Sequence, residues 1–447
     1  MSRHYTLRAP RIKVQFKPSE KATVHGGQLA VAAVMEQFGL KHRVKRCAAL
    51  DPRTDTHKGY DPEVYVAGIL YALCSGGCTL SEVERLNKDE ALLAYLGVKR
   101  FPDESSVGEW MRNIGDKGAE AIRRIGRDFV EWALGQADGA RYLHGGQMEC
   151  FFDDTQLEVS GRTFEGAKVN YEGNLALSWQ TLWVGPFLVD GVLGATGDVS
   201  SQLEYLLNVS EHLWKKSESY LYTDSASSAG SYLKAIGKRF DQWSVSYNKW
   251  TEPLEQHSEA FPKAYWSQPV ERRGRKGEAL REQYAWLRYQ PEGMTEPVKY
   301  AVARYRSDGD LFWRYSFIAT QTQNASAQAV FERHRLKGDF ERRFSDLLSD
   351  LDLHHPPCAS LAANRVYYAL ATLGHNMLQA LKLIWMSADE QGLRIRTIIH
   401  RVLLIPVEIK RHARQILACF YLPEHAATWW RQFIALLLPR CHLVPSG

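Results

Sequence analysis

Cysteine is sparse in this chain and follows no recognisable pattern. Seven cysteines are spread over 447 residues, and only Cys74 and Cys78, in "CSGGC", lie close together. A structural zinc site of the usual kind needs a second such pair, and a disulfide framework needs an even, dense set. The sequence therefore predicts reduced thiols in a cytosol, and it argues against a zinc module.

Long apolar runs are also missing. The start, "MSRHYTLRAPRIKVQF", is charged throughout and lacks the apolar segment of a signal peptide. The most apolar stretch, "VYYALATLGHNMLQALKLIWM", contains His375, Asn376, Gln379 and Lys382, so we predict a buried helix and no membrane span. With 45% hydrophobic and 24% charged residues, the composition is that of a globular protein with room for two or three domains.

Positive charge is concentrated near the two ends. The net charge is only +5, yet residues 1–60 hold twelve Lys or Arg against four acids. A second basic stretch is "RIRTIIHRVLLIPVEIKRHARQ". Basic ends around a nearly neutral middle fit a polyanionic partner, most commonly a nucleic acid. A basic surface that merely faces solvent is the alternative.

Two groups of basic residues are candidates for phosphate contacts. The first is in "ERRGRKGEALR", where a solvated loop is the alternative, and the second is predicted to lie on one basic helix after Pro406. The candidates are Arg272, Arg273, Arg275 and Lys276 in the first group, and Lys410, Arg411 and Arg414 in the second.

The pattern of apolar residues changes along the chain. Residues 26–140 have helical spacing closed by glycines, as in "GGQLAVAAVMEQFGL". From about 147, segments rich in aromatic and β-branched residues alternate with amphipathic helices, in the order β-β-β-α-β-α-β. Further strands are predicted in 250–320, then one long helix and a helical C-terminal third. The fold class is therefore α/β, with a mixed sheet between helical regions.

Three acids stand out by their positions. Asp153 lies in the strand "CFFDDTQLEV", Asp224 ends the strand "SYLYTDS", and Glu341 lies on the long helix beside a core-facing stripe. Carboxylates brought together in this way suit Mg²⁺, and a pair of such ions roughly 4 Å apart supports phosphoryl transfer. A single Asp at a strand end is more often a turn or cap residue, and the chain has 51 acids. Spacing alone leaves both readings open.

The surroundings of these acids resemble a known family. "FFDDT", "YLYTDSASSAG" and "HRLKGDFERRFSDLL" are similar to the three acid motifs of bacterial insertion-sequence DDE transposases. The likeness is greatest to the group called IS-thirteen-eighty, related to the IS-four transposases, and extends over roughly residues 20–420. It includes "GAKVNYEGN", "ANRVYYALATLGHNML" and "RVLLIPVEIKRHARQ". The resemblance implies a ribonuclease-H-like mixed-sheet core with a β-rich insertion.

The resemblance also implies roles for individual residues. Asp153, Asp224 and Glu341 take the places of the catalytic, metal-binding triad, with two Mg²⁺ ions for which Mn²⁺ substitutes. Related enzymes carry Tyr, Arg and Lys seven before, four before and seven after the glutamate. Those positions hold His334, Lys337 and Leu348 here. His334 and Lys337 are able to donate to a DNA phosphate, whereas Leu348 is not. Asp154 is expected to point away from the site, because strand neighbours alternate faces.

The function implied is that of a cut-and-paste transposase in the bacterial cytoplasm, at the nucleoid. It would bind the terminal inverted repeats of its element and target DNA as double strands, as a homodimer in the synaptic complex. The alternatives are a metal-dependent nuclease of the same fold and a catalytically silent, transposase-derived DNA-binding protein. The expected parts are a helical DNA-binding region (1–140), the core in two parts (141–249 and 323–385), the β-rich insertion (250–322) and a helical basic C-terminal region (386–447).

Overall fold

The computed structural model describes residues 19–136, 143–160, 163–170, 172–196, 200–248, 251–274, 277–322, 324–412 and 415–438. Within these ranges the chain is a mixed α/β protein built around one large mixed sheet. In the described part of the chain, no helix is both long enough and apolar enough to span a membrane.

The first part of the chain is helical, as predicted. Glycine ends the first helix, because Gly39 adopts φ 70°, which residues with a side chain rarely do. The sixth helix is kinked at Gly115, where φ is 50°. The helices are α1 (Gln28–Phe38), α2 (Leu40–Lys45), α3 (Pro62–Cys74), α4 (Ser81–Arg85), α5 (Glu90–Leu96) and α6 (Glu104–Gln136).

The large sheet begins with the predicted strands. The elements are β2 (Leu143–His144), β3 (Gln147–Glu158), β4 (Lys168–Val169), β5 (Leu175–Val184), β6 (Phe187–Ala195), α7 (Leu203–Ser210), β7 (Ser219–Thr223), α8 (Gly230–Arg239) and β8 (Gln242–Tyr247). Three strands, β3, β5 and β6, form an antiparallel meander, and two later strands, β7 and β8, run parallel to β3. Two helices connect the later strands.

The β-rich segment that follows continues the same sheet. Its last strand pairs antiparallel with β8, so the order across the sheet is β4-β5-β3-β7-β8-β12-β11-β10-β9, with β6 also on β5 and β2 on β3. The elements are α9 (Glu252–Glu259), β9 (Val270–Arg273), β10 (Ala279–Tyr289), β11 (Val298–Ser307) and β12 (Arg314–Thr320).

The helix predicted over residues 326–351 is two helices, α10 (Ala327–His334) and α11 (Leu336–Asp350). The break at Arg335 lies three residues before Gly338, which has a low helix propensity. The predicted apolar stripe of α11 is confirmed, since Phe340, Phe344 and Leu347 are buried against the sheet. The next helix, α12 (Leu361–Ala380), is buried along most of its length, as its apolar sequence predicted.

The C-terminal region is not wholly helical, which corrects one prediction. A short helix, α13 (Ile395–Ile398), leads to a hairpin of β13 (Val407–His412) and β14 (Gln415–Phe420), and α14 (Glu424–Leu437) follows. Pro406 lacks an N–H donor, and beyond it Val407 and Ile409 are buried in alternation, the period of a strand. β1 (Ala22–Thr23) pairs with β13 in a separate three-stranded sheet.

Candidate active site

Strand pairing sets the first two predicted acids side by side. β3 and β7 are parallel neighbours, and Phe152 is registered against Thr223. The next residue on each chain is Asp153 and Asp224, respectively. Neighbouring strands lie about 4.8 Å apart, so the two carboxylates share one edge of the strand pair. The register thus brings together two of the three acids that the sequence predicted to converge.

Helix α11 brings the third acid to the same edge. Phe340 stacks on Phe151 of β3, with ring centroids 4.4 Å apart, and meets Trp183 of β5 edge-on at 5.2 Å. These contacts fix the angular position of α11 on the sheet. Glu341, the next residue, therefore stands at the margin of the packed face, with 58% of its side chain exposed.

A lysine lies between two of the three acids. Lys337 Nζ donates to Asp153 Oδ2 at 3.1 Å and to Glu341 Oε1 at 2.8 Å. Lys337 and Glu341 are four residues apart on α11, the spacing that places two side chains on one helix face. Lys337 is buried, with 7% of its surface exposed. One ammonium group thus connects the strand acid to the helix acid.

Burial and charge both act on Asp153. Burial raises the pKa of Asp153 to about 6, because desolvation disfavours the carboxylate. Lys337 opposes this rise, while Asp224 and Glu341 add to it by repulsion. The pKa of Lys337 is raised by Asp153, Glu341 and Asp224, against the opposing effect of burial. At neutral pH Asp153 is therefore mainly ionised and pairs with a charged lysine.

Asp224 has a structural bond as well as its place beside Asp153. It directly follows β7 and caps the short 3-10 turn Ser225–Ser227, with its Oδ1 accepting from the backbone N–H of Ala226 at 3.0 Å. The cap holds one carboxylate oxygen and fixes the side chain at the strand end.

Asp154 is held on the opposite face of β3. It accepts hydrogen bonds from the Ser178 hydroxyl and from Gln156 Nε2, the latter at 2.7 Å. Burial raises the pKa of Asp154 to about 6, and the two hydrogen bonds oppose this rise. Asp154 therefore points away from Asp153 and Lys337, as predicted. The bond from Ser178 on β5 was not predictable from the sequence, because it depends on strand register, whereas Gln156 lies two residues further along β3.

The donor set suits a hard divalent cation. Asp153, Asp224 and Glu341 supply carboxylate oxygens, which Mg²⁺ prefers, and Lys337 shows that a cation is stabilised between two of them. Across the residues described, no three His, Cys, Asp or Glu side chains surround a common metal position. The Lys337 ammonium group occupies the position between Asp153 and Glu341 where a Mg²⁺ ion was predicted.

Two of the auxiliary positions lie in the interior. Ser244 and Ser246 of β8 hydrogen-bond the two ring nitrogens of His334, at 2.8 and 2.7 Å. Burial lowers the pKa of His334 to about 3, so the ring is neutral. Leu348 is also buried. This placement of His334 does not favour the predicted phosphate contact, and Leu348 packs in the core.

The basic residues of the insertion differ in their surroundings. Arg272 on β9 pairs with Glu282 and Glu332, each at 2.8 Å, so its charge is already balanced. Arg273 is exposed on the same strand. Arg275 and Lys276 lie outside the described residues.

The C-terminal basic residues do not share a helix. Lys410 and Arg411 lie on strand β13, and Arg414 falls outside the described residues. Lys410 is exposed and pairs with Glu408 at 3.2 Å. Their location on a hairpin corrects the prediction of one basic helix.

These features define a class of site: three carboxylates gathered at the edge of a mixed sheet, two of them around one cation. A family model described as "Transposase DDE domain group 1" matches residues 190–439, more than half of the chain. The chain therefore belongs to this family of DDE transposases, whose members act on DNA. The matched range includes Asp224 and Glu341 and begins after Asp153. No curated protein matches the chain.

Proposed function

We propose that this chain is a cut-and-paste DNA transposase of the IS-thirteen-eighty group, with Asp153, Asp224 and Glu341 as its catalytic residues. The observation that carries the proposal is the gathering of two strand carboxylates and one helix carboxylate at one edge of the sheet. Membership of the DDE family supports it.

The topology supports a ribonuclease-H-like core. β6, β5 and β3 are antiparallel neighbours, and β7 and β8 extend them on the other side in parallel. In this proposal residues 141–249 and 323–385 form the core, 250–322 the insertion, and 1–140 and 386–447 the flanking regions.

In the proposed reaction Asp153, Asp224 and Glu341 would hold two Mg²⁺ ions, for which Mn²⁺ would substitute. When bound, such ions activate an attacking oxygen and stabilise the leaving oxygen of a phosphodiester. Asp153 is ionised at neutral pH and held rigidly by its strand. The exposed side chain of Glu341 completes the set from the helix. Water first cuts the element end, and the resulting 3′-hydroxyl then attacks target DNA, with no external energy source.

The DNA partners are the terminal inverted repeats of the element and a double-stranded target. Among the described candidates for phosphate contacts, Arg273 and Lys410 are exposed to solvent. Lys337 lies beside the proposed catalytic acids. Phosphate contacts of this kind position DNA and make binding dependent on salt. Because two ends must be joined together, we propose a homodimer in the synaptic complex, acting at the nucleoid of the cytoplasm.

A second candidate is a DNA-binding descendant without catalysis. The interior placement of His334 and Leu348 favours it, since neither residue is available to hold DNA beside the triad. A metal-dependent nuclease on the same fold would cut DNA without joining it.

Glu341→Gln tests these possibilities. Cleavage and strand transfer are measured on DNA carrying the inverted repeats that flank the gene, with Mg²⁺ present. We expect both activities to fall at least about a hundredfold with DNA binding retained, because a metal-ligand set contributes several kcal/mol. Asp339→Asn is the matched control, an exposed acid two residues away on the same helix.

The three outcomes separate the candidates. Wild-type cleavage without joining supports the nuclease, and binding without cleavage supports the silent descendant. Unchanged activity in Glu341→Gln would falsify its catalytic role.

A further inference from the structure

Lys337 occupies the space between two of the proposed metal ligands in the metal-free protein. Its ammonium lies between Asp153 Oδ2 and Glu341 Oε1, at 3.1 and 2.8 Å, and its side chain is 8% exposed. These are two of the three carboxylates assigned to the metal. An ion bound by both of them would have to take the oxygens that the ammonium now occupies.

Without a cation, this cluster would be costly. Three carboxylates stand together, and Asp153 is buried, so their repulsion would act at low effective dielectric. One ammonium group with two charge-assisted hydrogen bonds relieves part of this repulsion. Lys337 therefore stabilises the arrangement of the acids in the metal-free protein.

The lysine side chain is suited to giving up this position. Its ammonium sits at the end of a flexible four-carbon stem, so rotations of the stem move the charge several ångströms without moving α11. The helix itself stays anchored by Phe340 on Phe151. Glu341, being largely exposed, is free to adjust with it.

We propose that Lys337 is a positioning residue that occupies the cation site of the metal-free protein and leaves it when a divalent ion binds. This rests on the proposed function, because it assumes that Asp153 and Glu341 are metal ligands. When the divalent ion binds, the ammonium group of Lys337 is released and lies beside the phosphate that reacts. Ammonium and metal therefore compete for the same oxygens, and Lys337 weakens metal binding in the absence of DNA.

Direct metal binding tests the competition. Mn²⁺ affinity of the full chain without DNA is measured by titration calorimetry for the wild type, Lys337→Met and Arg342→Met. We expect Lys337→Met to bind Mn²⁺ at least about tenfold more tightly, because two charge-assisted hydrogen bonds need not be broken. Arg342→Met removes the same charge from an exposed position on α11 and should stay within about twofold of the wild type.

The variant Asp153→Asn distinguishes an error in the proposed metal site from an error in the proposed competition between Lys337 and the metal. If it binds Mn²⁺ as the wild type does, the metal site itself is misassigned and the proposed function fails. If it loses Mn²⁺ while Lys337→Met binds no more tightly than the wild type, the competition is overturned and the catalytic assignment stands.

A measurement on the wild type covers the case in which Lys337→Met does not fold. Lysine acetylation is followed by mass spectrometry with and without saturating Mn²⁺. Lys337 should become several times more reactive with the ion, because its ammonium leaves the carboxylates. Lys382, buried and donating to the Leu393 carbonyl at 3.1 Å, serves as the internal control. Equal labelling of Lys337 in both conditions overturns the inference.

Discussion

Asp153 and Asp154 are neighbours in sequence, yet their environments have little in common. Asp153 faces α11 and is paired with Lys337, whereas Asp154 lies on the other face with the Ser178 hydroxyl and Gln156. Because neighbouring side chains on a strand point to opposite faces, Asp153 is a proposed metal ligand, whereas the carboxylate of Asp154 accepts hydrogen bonds from protein side chains. Asp153 is therefore expected to affect catalysis, and Asp154 the pH dependence of stability.

Asp154→Asn should change the pH dependence of stability in metal-free buffer. The folded pKa of Asp154 is raised from 3.8 to about 6, so its favourable contribution is complete below about pH 4 and is lost as pH rises through about 6. The stability of the wild type relative to Asp154→Asn should therefore fall by roughly 3 kcal/mol between pH 4 and pH 7. Urea denaturation across this range measures the difference.

Asp339→Asn, which removes an exposed carboxylate, is the matched control. A flat difference between the wild type and Asp154→Asn over the same pH range would contradict the assignment of the raised pKa to burial.

At this scale the sequence indicated which acids lie near one another better than it indicated where the basic residues lie. Asp153, Asp224 and Glu341 were identifiable because their positions at strand ends and on a helix margin follow from periodicity and a family resemblance. The Lys337–Glu341 spacing on α11 was a usable signal, but its contact with Asp153 depends on how α11 crosses the sheet. The buried state of His334 was not predictable, because its partners lie 88 and 90 residues away on β8.

Among the elements, α11 controls the site most directly. Phe340 is 1% exposed and stacks on Phe151, the residue two before Asp153 on β3. A change in the packing of one ring therefore alters the distance between a helix acid and a strand acid.

Phe340→Ala should destabilise the protein by about 3–5 kcal/mol, because it removes a buried aromatic side chain and leaves a cavity. Catalytic cleavage should fall further than the folded fraction does, since Glu341 loses its anchor. Phe340→Leu keeps most of the volume and should cost less on both counts. Denaturation and cleavage assays on the same preparations measure the two effects. Equal specific activity of folded Phe340→Ala and wild type would contradict the anchoring role.

The C-terminal hairpin shows where sequence reasoning about elements fails. "VEIKRH" and "QILACF" are short, and a charged run after an apolar helix is compatible with either a helix or a strand. Pairing of β13 with both β1 and β14 decided the outcome. Such long-range partners do not appear in a local pattern, whereas the strong periodicity of α1, α6 and α12 was sufficient for prediction.

At the scale of the whole molecule, an ion cluster joins the helical region to the sheet. Arg123 and Arg127 of α6 both donate to Asp190 of β6, whose side chain is fully buried, with Arg123 Nε at 2.5 Å. Glu120 binds both arginines and accepts from Tyr205 of α7 at 2.6 Å. Charges on α6 and β6 therefore balance one another at a junction between the two regions, and α7 adds a neutral hydroxyl donor.

Asp190→Asn should destabilise the protein by about 3–5 kcal/mol, because it leaves two largely buried arginines without their shared carboxylate. Glu218→Gln breaks an exposed pair with Lys215 and should cost less than about 1 kcal/mol. Thermal unfolding of both variants measures the contrast. Similar losses in the two variants would show that Asp190 does not hold the junction together.

The pairing of β8 with β12 has a further consequence. Two inter-strand steps, on the order of 10 Å, separate β7, the strand that Asp224 follows, from the β-rich segment, and backbone hydrogen bonds span both steps. Among the described residues, the paired strands run without interruption from β7 through β8 to β12. Any duplex that bound to the segment would therefore lie at a fixed distance from the three carboxylates.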